Sequence, residues 1–177
     1  MIVRGLFMLA RGKAEGIKEF GASLDNFTAS LAPLIAFPLV GAAILVMQGD
    51  WKFALISLLS RISSVLLLPL MVHEFARRLG HEALWTRAAT ALNWSFWMIL
   101  PVLFVAAFLG ALLAQFGVAM SRAEYFVLGF AGGYLLWYRW VIVKAGLALS
   151  GAQAAVFVAL SSVLIGVLTV VPVLVMK

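Results

Sequence analysis

Cysteine is absent from the chain, and acids are scarce: 7 Asp and Glu stand against 13 Lys and Arg. Without cysteine there is no disulfide, no thiolate metal site and no cysteine nucleophile. The only histidines are His73 and His81, in the pairs His73-Glu74 and His81-Glu82. That spacing is not the i, i+4 of HExxH, and no further His or Cys can complete a zinc set. Neither histidine falls deep in an apolar segment, so haem ligation is not expected either. A serine hydrolase needs a base near its nucleophile. Serines 57, 60, 63, 64, 161 and 162 have none, and GxSxG is missing. Low-complexity tracts, repeats and proline-rich linkers are missing too. Arg4 and Arg11 enclose too few residues for the apolar core of a signal peptide. No cofactor and no metal are expected.

What the chain does have is apolar bulk. Hydrophobic residues make up 65% of its 177 positions and charged ones 11%. Soluble domains lie nearer 45–50% and about 25%. A soluble fold of this length cannot hide so much apolar surface, which predicts an all-α integral membrane protein built as one bundle. The net charge of +6 does not point to nucleic acid, because the basic residues gather at segment ends, as membrane topology requires.

The pattern divides into an amphipathic, interfacial N-terminal segment over 1–26 and a five-span bundle over 27–177. In residues 2–20, Val3, Leu6, Phe7, Ala10, Ala14 and Ile17 share one helical face, and Arg4, Arg11, Glu15 and Lys18 the other. Gly5, Gly12 and Gly16 weaken that helix. The spans are expected at about 27–47, 52–73, 88–114, 122–148 and 151–175, each long enough to cross ~30 Å of hydrocarbon. Asp25 or Asn26 is the expected cap of the first span and Asp50 of the second. Ser121-Arg-Ala-Glu124 has capping-box spacing for the fourth. A tight Leu149-Ser150-Gly151 turn leads into the fifth. Short connections make successive spans antiparallel neighbours.

Arg4, Arg11, Lys13, Lys18, Arg77, Arg78, Arg87 and Lys144 fall on one side, and Lys52, Arg122 and Lys177 on the other. The positive-inside rule then places the N-terminus in the cytoplasm and the C-terminus outside, for a bacterial inner-membrane protein. The aromatic residues agree. Trp85 and the Trp137/Tyr138/Trp140 group fall toward the inner interface, and Trp51 and Tyr125 toward the outer one.

Helix-packing seams are expected from small residues, because helices in lipid associate by close backbone approach. Ala152, Ala155, Ala159, Ser162, Gly166 and Thr169 form one stripe along the fifth span. Gly129 and Gly133 give the fourth a GxxxG spacing. Such seams serve contacts within one chain or between copies.

The candidate anion- or lipid-binding residues are Arg61, Ser57, Ser64, Asn93, Arg139 and Lys144. Arg61 stands mid-span with Ser57 and Ser64 on its helix face, and a charge there costs ~2.5–3.5 kcal/mol on insertion scales. No acid lies deep in any span. Either Arg61 is satisfied by carbonyls, serines and Asn93, or it faces a cavity and holds an anion such as a lipid phosphate. Side chains lean toward a helix N-terminus, so Arg61 leans toward the level of Asp50 and Glu124. Gly132, Arg139 and Gly146 repeat at seven, which predicts a helix packed there. Arg139 is then a structural arginine stacked on Trp or Tyr, or grips an anionic headgroup together with Lys144.

Three short pieces carry a family resemblance: Leu9-Ala-Arg-Gly-Lys13, Ala91-Leu-Asn-Trp94 and Tyr134-Leu-Leu-Trp-Tyr-Arg139. With the basic amphipathic lead-in and five closely connected spans, the chain resembles the Yip1-like superfamily and a group of uncharacterised bacterial membrane proteins. That resemblance implies membrane organisation and partner binding rather than a defined reaction. The expectation is a non-enzymatic membrane protein that binds lipids or membrane proteins, including further copies of itself. The alternative is a small transporter or channel with an Arg61 anion site between the second, third and fourth spans, with Pro33, Pro38, Pro69, Pro101 and Pro172 as candidate helix breaks. A lipid-acting enzyme lacks an acid–base pair.

Overall fold

A computed structural model describes residues 2–175 and is helical throughout, with seven α-helices. Lys177 and the side chain of Pro172 lie outside what is described. The helices are α1 (Ile2–Leu9), α2 (Leu24–Met47), α3 (Trp51–Arg78), α4 (Trp85–Ser95), α5 (Ile99–Gln115), α6 (Met120–Gly146) and α7 (Gly151–Val175). Helices α2, α3, α6 and α7, and the α4–α5 stretch taken as one rod, are long and apolar enough to cross a membrane. α2 pairs with α3, α5 with α6, and α7 packs on both α3 and α6.

The third long rod is not continuous. It breaks into a 3-10 turn at Phe96–Met98, between α4 and α5. Pro101 has no N–H for the Trp97 carbonyl, and its ring crowds that turn, so the break sits where proline chemistry puts it. The break gives the two halves different surroundings. α4 is buried over Thr86, Ala88–Asn93 and packs against α2, α3 and α6. α5 packs mainly on α6 alone.

The core therefore concentrates at the end of the bundle that carries the N-terminus. Leu6, Leu9, Ile17 and Phe20 of the N-terminal segment join Val72, Ala76, Leu92, Tyr138, Ile142 and Leu147 in one buried cluster there. At the far end only Val102, Ala106 and Ala131 form a small second cluster. The bundle is sealed at the N-terminal end and looser at the other.

The N-terminal segment is not the single helix over 2–20 that its periodicity suggests. It turns at Gly12, where φ is 74°, and comes back as a 3-10 stretch over Ala14–Glu19. Gly5 and Gly16 are the reason for the hairpin rather than a weakness in a helix. A Cβ on Gly5 would lie 2.9 Å from the Gly16 carbonyl oxygen, and one on Gly16 2.9 Å from that of Gly5. Val3 and Phe7 face outward, while Leu6, Leu9 and Ile17 face the bundle. The Tyr134 and Tyr138 hydroxyls donate to the Ala10 and Leu6 carbonyls at 2.6 and 3.2 Å, which pins the hairpin to α6.

Several local signals resolve differently from expectation. Ser23, not Asp25 or Asn26, caps α2, accepting from the Asn26 N–H at 3.2 Å. The Ser121–Glu124 capping box does not form: α6 starts two residues earlier, with Ala119 at the N-cap and no side-chain cap bond. A real capping box lies at α7, where Gln153 accepts from the Ser150 N–H at 2.9 Å and Ser150 accepts from the Gln153 N–H at 3.2 Å. Asp50 does cap α3.

The small-residue stripes do not hold this chain together. Ala152, Ala155, Ala159, Gly166 and Thr169 are exposed and Ser162 is half-buried, while α7 buries Ala154, Phe157, Val158 and Ser161 instead. Gly129 and Gly133 are exposed, with open space where a Cβ would be. Close approach occurs elsewhere. A Cβ on Gly146 would meet Ala88 Cβ at 2.8 Å, and one on Gly110 would meet a Val127 methyl at 2.5 Å. Gly146→Val should accordingly destabilise the chain by about 1–3 kcal/mol through overpacking. Gly133→Ala should leave it unchanged or slightly more stable. Thermal unfolding in detergent checks the pair, and equal midpoints would contradict the packing described.

Candidate functional site

Arg61 sits ten residues into α3, about 15 Å along the helix from Trp51 at 1.5 Å per residue. Its Nε donates to Ser57 Oγ at 3.3 Å, one turn toward the helix N-terminus, as side-chain lean requires. The rest of the guanidinium has no hydrogen-bond or ion-pair partner among the described residues. It lines a cavity of about 450 Å³ with Ser57, Ser60 and Ser64 of α3, Leu34, Phe37 and Pro38 of α2, Phe96, and Thr169 of α7. The walls are thus the first, second and fifth spans with the broken turn of the third. They are not the second, third and fourth.

Neither Asn93 nor Ser64 satisfies Arg61. Asn93 is buried and donates through Nδ2 to Ser30 Oγ at 2.9 Å, tying α4 to α2. Ser64 donates to the Ser60 carbonyl at 2.9 Å. Ser60 Oγ in turn donates across to the Leu168 carbonyl of α7 at 2.5 Å. Residue 172 is proline, so Leu168 has no helical donor four residues on, and the Ser60 hydroxyl supplies one.

The same chemistry shapes the cavity walls. Pro38 and Pro69 remove the helical donors of the Leu34 and Val65 carbonyls. Leu34 and Val65 line both this cavity and an adjoining one of about 310 Å³. Ser64 and Phe96 are also common to the two. The second cavity adds Asn93, Ser95, Tyr138 and Arg139. The two prolines therefore leave two residues that line both cavities without their usual helical N–H donor, a consequence that reading the prolines merely as helix breaks misses.

Arg139 and Lys144 are separated rather than joined. Arg139 is half-buried on the inner wall of the second cavity, with Nη1 at 3.5 Å from Ser162 Oγ, at the limit of a hydrogen bond. The aromatic stack falls to Lys144, whose Nζ lies 4.7 Å over the Trp140 ring. In the heptad that contains Arg139, Gly146 packs on Ala88 while Gly132 faces open space.

The histidines have structural work. His81 Nδ1 lies 2.6 Å from the Leu147 carbonyl oxygen, and His73 packs edge-on to Trp85 at 5.2 Å. Glu74 pairs with Arg77 and Arg78 at 2.7 and 2.5 Å. No group of three or more metal-ligating side chains is assembled among the described residues.

Comparison with known proteins finds no matching family model, no matching curated protein and no matching solved structure.

A cation with one weak side-chain partner and no counter-charge destabilises its own helix. Replacing Arg61 by Leu should therefore raise the apparent melting temperature in neutral detergent free of anionic lipid. An unchanged or lowered midpoint would show that the guanidinium is already satisfied by the protein.

Proposed function

We propose that the chain is a non-enzymatic integral membrane protein of a bacterial inner membrane, which binds the phosphate of an anionic lipid in the Arg61 cavity. The observation that carries this reading is the Arg61 guanidinium, exposed and lining its cavity with Ser57 Oγ as its one hydrogen-bond partner among the described residues. The cation suits a phosphate oxygen, and the Leu34 and Val65 carbonyls suit hydroxyl donors on the same headgroup. Phosphatidylglycerol offers both. Phe37, Phe53 and Phe96 line the same cavity and suit the apolar remainder of the lipid.

The topology supports the reading. Arg4, Arg11, Lys13, Lys18, Arg77, Arg78, Arg87 and Lys144 all fall at the end sealed by the N-terminal hairpin, so the positive-inside rule makes that end cytoplasmic. The looser end then faces the outer leaflet, from which a headgroup would be drawn in. The exposed Gly129–Gly133 face and the small-residue stripe of α7 remain open to a second copy or a partner helix.

Native mass spectrometry from mixed micelles tests both parts. Phosphatidylglycerol should be retained in preference to phosphatidylcholine, and the spectra read the subunit number directly. Loss of hydrogen bonds to a charged group is worth roughly 1.5–3 kcal/mol. Arg61→Gln should therefore weaken phosphatidylglycerol binding roughly ten- to a hundred-fold. Equal retention of the two lipids, or of phosphatidylglycerol by wild type and variant, would refute the reading.

A further inference from the structure

Arg139 raises a separate question, because it is the other guanidinium placed well inside a long helix and it does not pair with the headgroup level. Two cross-helix bonds fix the relative depths of the cations. Ser60, next to Arg61, bonds the Leu168 carbonyl, and Arg139 reaches Ser162 on the same helix. Six residues of α7 separate those two levels, or roughly 9 Å along the axis. Arg139 is the deeper of the two, closer to the sealed end.

The two cavities adjoin, with Leu34, Ser64, Val65 and Phe96 lining both. No acid lines either cavity. Below Arg139 the way is closed by Leu92, Tyr138 and Ile142 of the main core, and the Tyr138 hydroxyl is bonded to the hairpin at Leu6. An anionic group entering at Arg61 thus meets a second cation deeper in, and then a wall.

We propose that Arg139 is a second anion-holding station of the same cleft, so that a phosphate monoester or diester is passed from Arg61 to Arg139, about 9 Å deeper. This rests on the reading of Arg61 as an anion site and extends it from one point to a path. Two weak sites in series are what movement requires, since a single tight site would trap its ligand. In this structure the path is open at the Arg61 end and shut beneath Arg139.

The chain has no cysteine, so single reporter cysteines can be added without background. Thr169→Cys reports on the upper cavity and Ser95→Cys on the deeper one. The probes are an anionic and a cationic methanethiosulfonate of similar size, applied to the full chain in neutral-lipid nanodiscs. The anionic reagent should label both positions at least about tenfold faster, a preference worth about 1.4 kcal/mol. Arg139→Gln should abolish the preference at position 95 and keep it at position 169, while Arg139→Lys should keep both. Inorganic phosphate or short-chain phosphatidylglycerol should slow labelling at position 95, and whichever does so identifies a free anion or a lipid headgroup as the ligand.

The inference is overturned if position 95 shows no charge preference, if Arg139→Gln leaves that preference intact, or if neither ligand protects it. Loss of preference at position 169 as well would instead sink the underlying reading of Arg61, so the two failures are distinguishable.

Discussion

The structure depends on a mismatch of charge with depth. The acids of the chain, at positions 15, 19, 25, 50, 74, 82 and 124, all lie in the N-terminal hairpin, in connections or near helix ends, whereas Arg61 and Arg139 lie well inside long helices. Arg61 is exposed and Arg139 half-buried, and a cation at mid-membrane depth costs several kcal/mol by general estimates unless polar groups or a ligand offset it. Here Ser57 and Ser162 offset it only in part. The cavities beside both guanidiniums follow from that shortfall, since tight packing of apolar side chains around either would strand the charge completely.

The packing elsewhere makes room for this. α4, rich in alanine and broken from α5 ahead of Pro101, wedges into the N-terminal end and lets α6, α2 and α3 close on it. The hairpin pinned by Tyr134 and Tyr138 completes the seal. α5, past the break, leans mainly on α6, so the opposite end is packed less closely. One proline thus separates a compact half from an open one. Pro38 and Pro69 leave Leu34 and Val65, which line both cavities, without their usual helical N–H donors.

How much of this was legible in the sequence varies with the range of the interaction. The five long apolar segments were, because length and composition decide them, and the Asp50 cap was, because capping is local. The hairpin was not, since Gly5 and Gly16 read as helix weakeners until the chain is seen to fold back on itself. Small residues were hard to read for the same reason: Gly146 and Gly110 mark close contacts within the chain, while the alanines and Gly166 of the more regular stripe from Ala152 to Thr169 are exposed. Arg61 stood out at once as a mid-span charge, but its walls did not. Phe96 and Thr169 reach it through the third and fifth spans, and no periodicity in α3 encodes that meeting. Arg139 was grouped with Lys144 by proximity in sequence, whereas the fold groups it with Ser64, Ser95 and Asn93.

On the function proposed above, the bundle is a cup rather than a pore, floored by the N-terminal hairpin, looser at the other end, and lined at two depths by cations that would hold an anion. That function is tested most directly by an electron cryomicroscopy map of the chain in nanodiscs containing phosphatidylglycerol, at a resolution that shows headgroups. The account predicts non-protein density within hydrogen-bonding distance of the Arg61 guanidinium, inside the cavity bounded by Phe37, Phe96 and Thr169. A map in which α2, α3 and α7 close on one another, with the guanidinium bonded to main-chain carbonyls and no density beside it, would contradict the account.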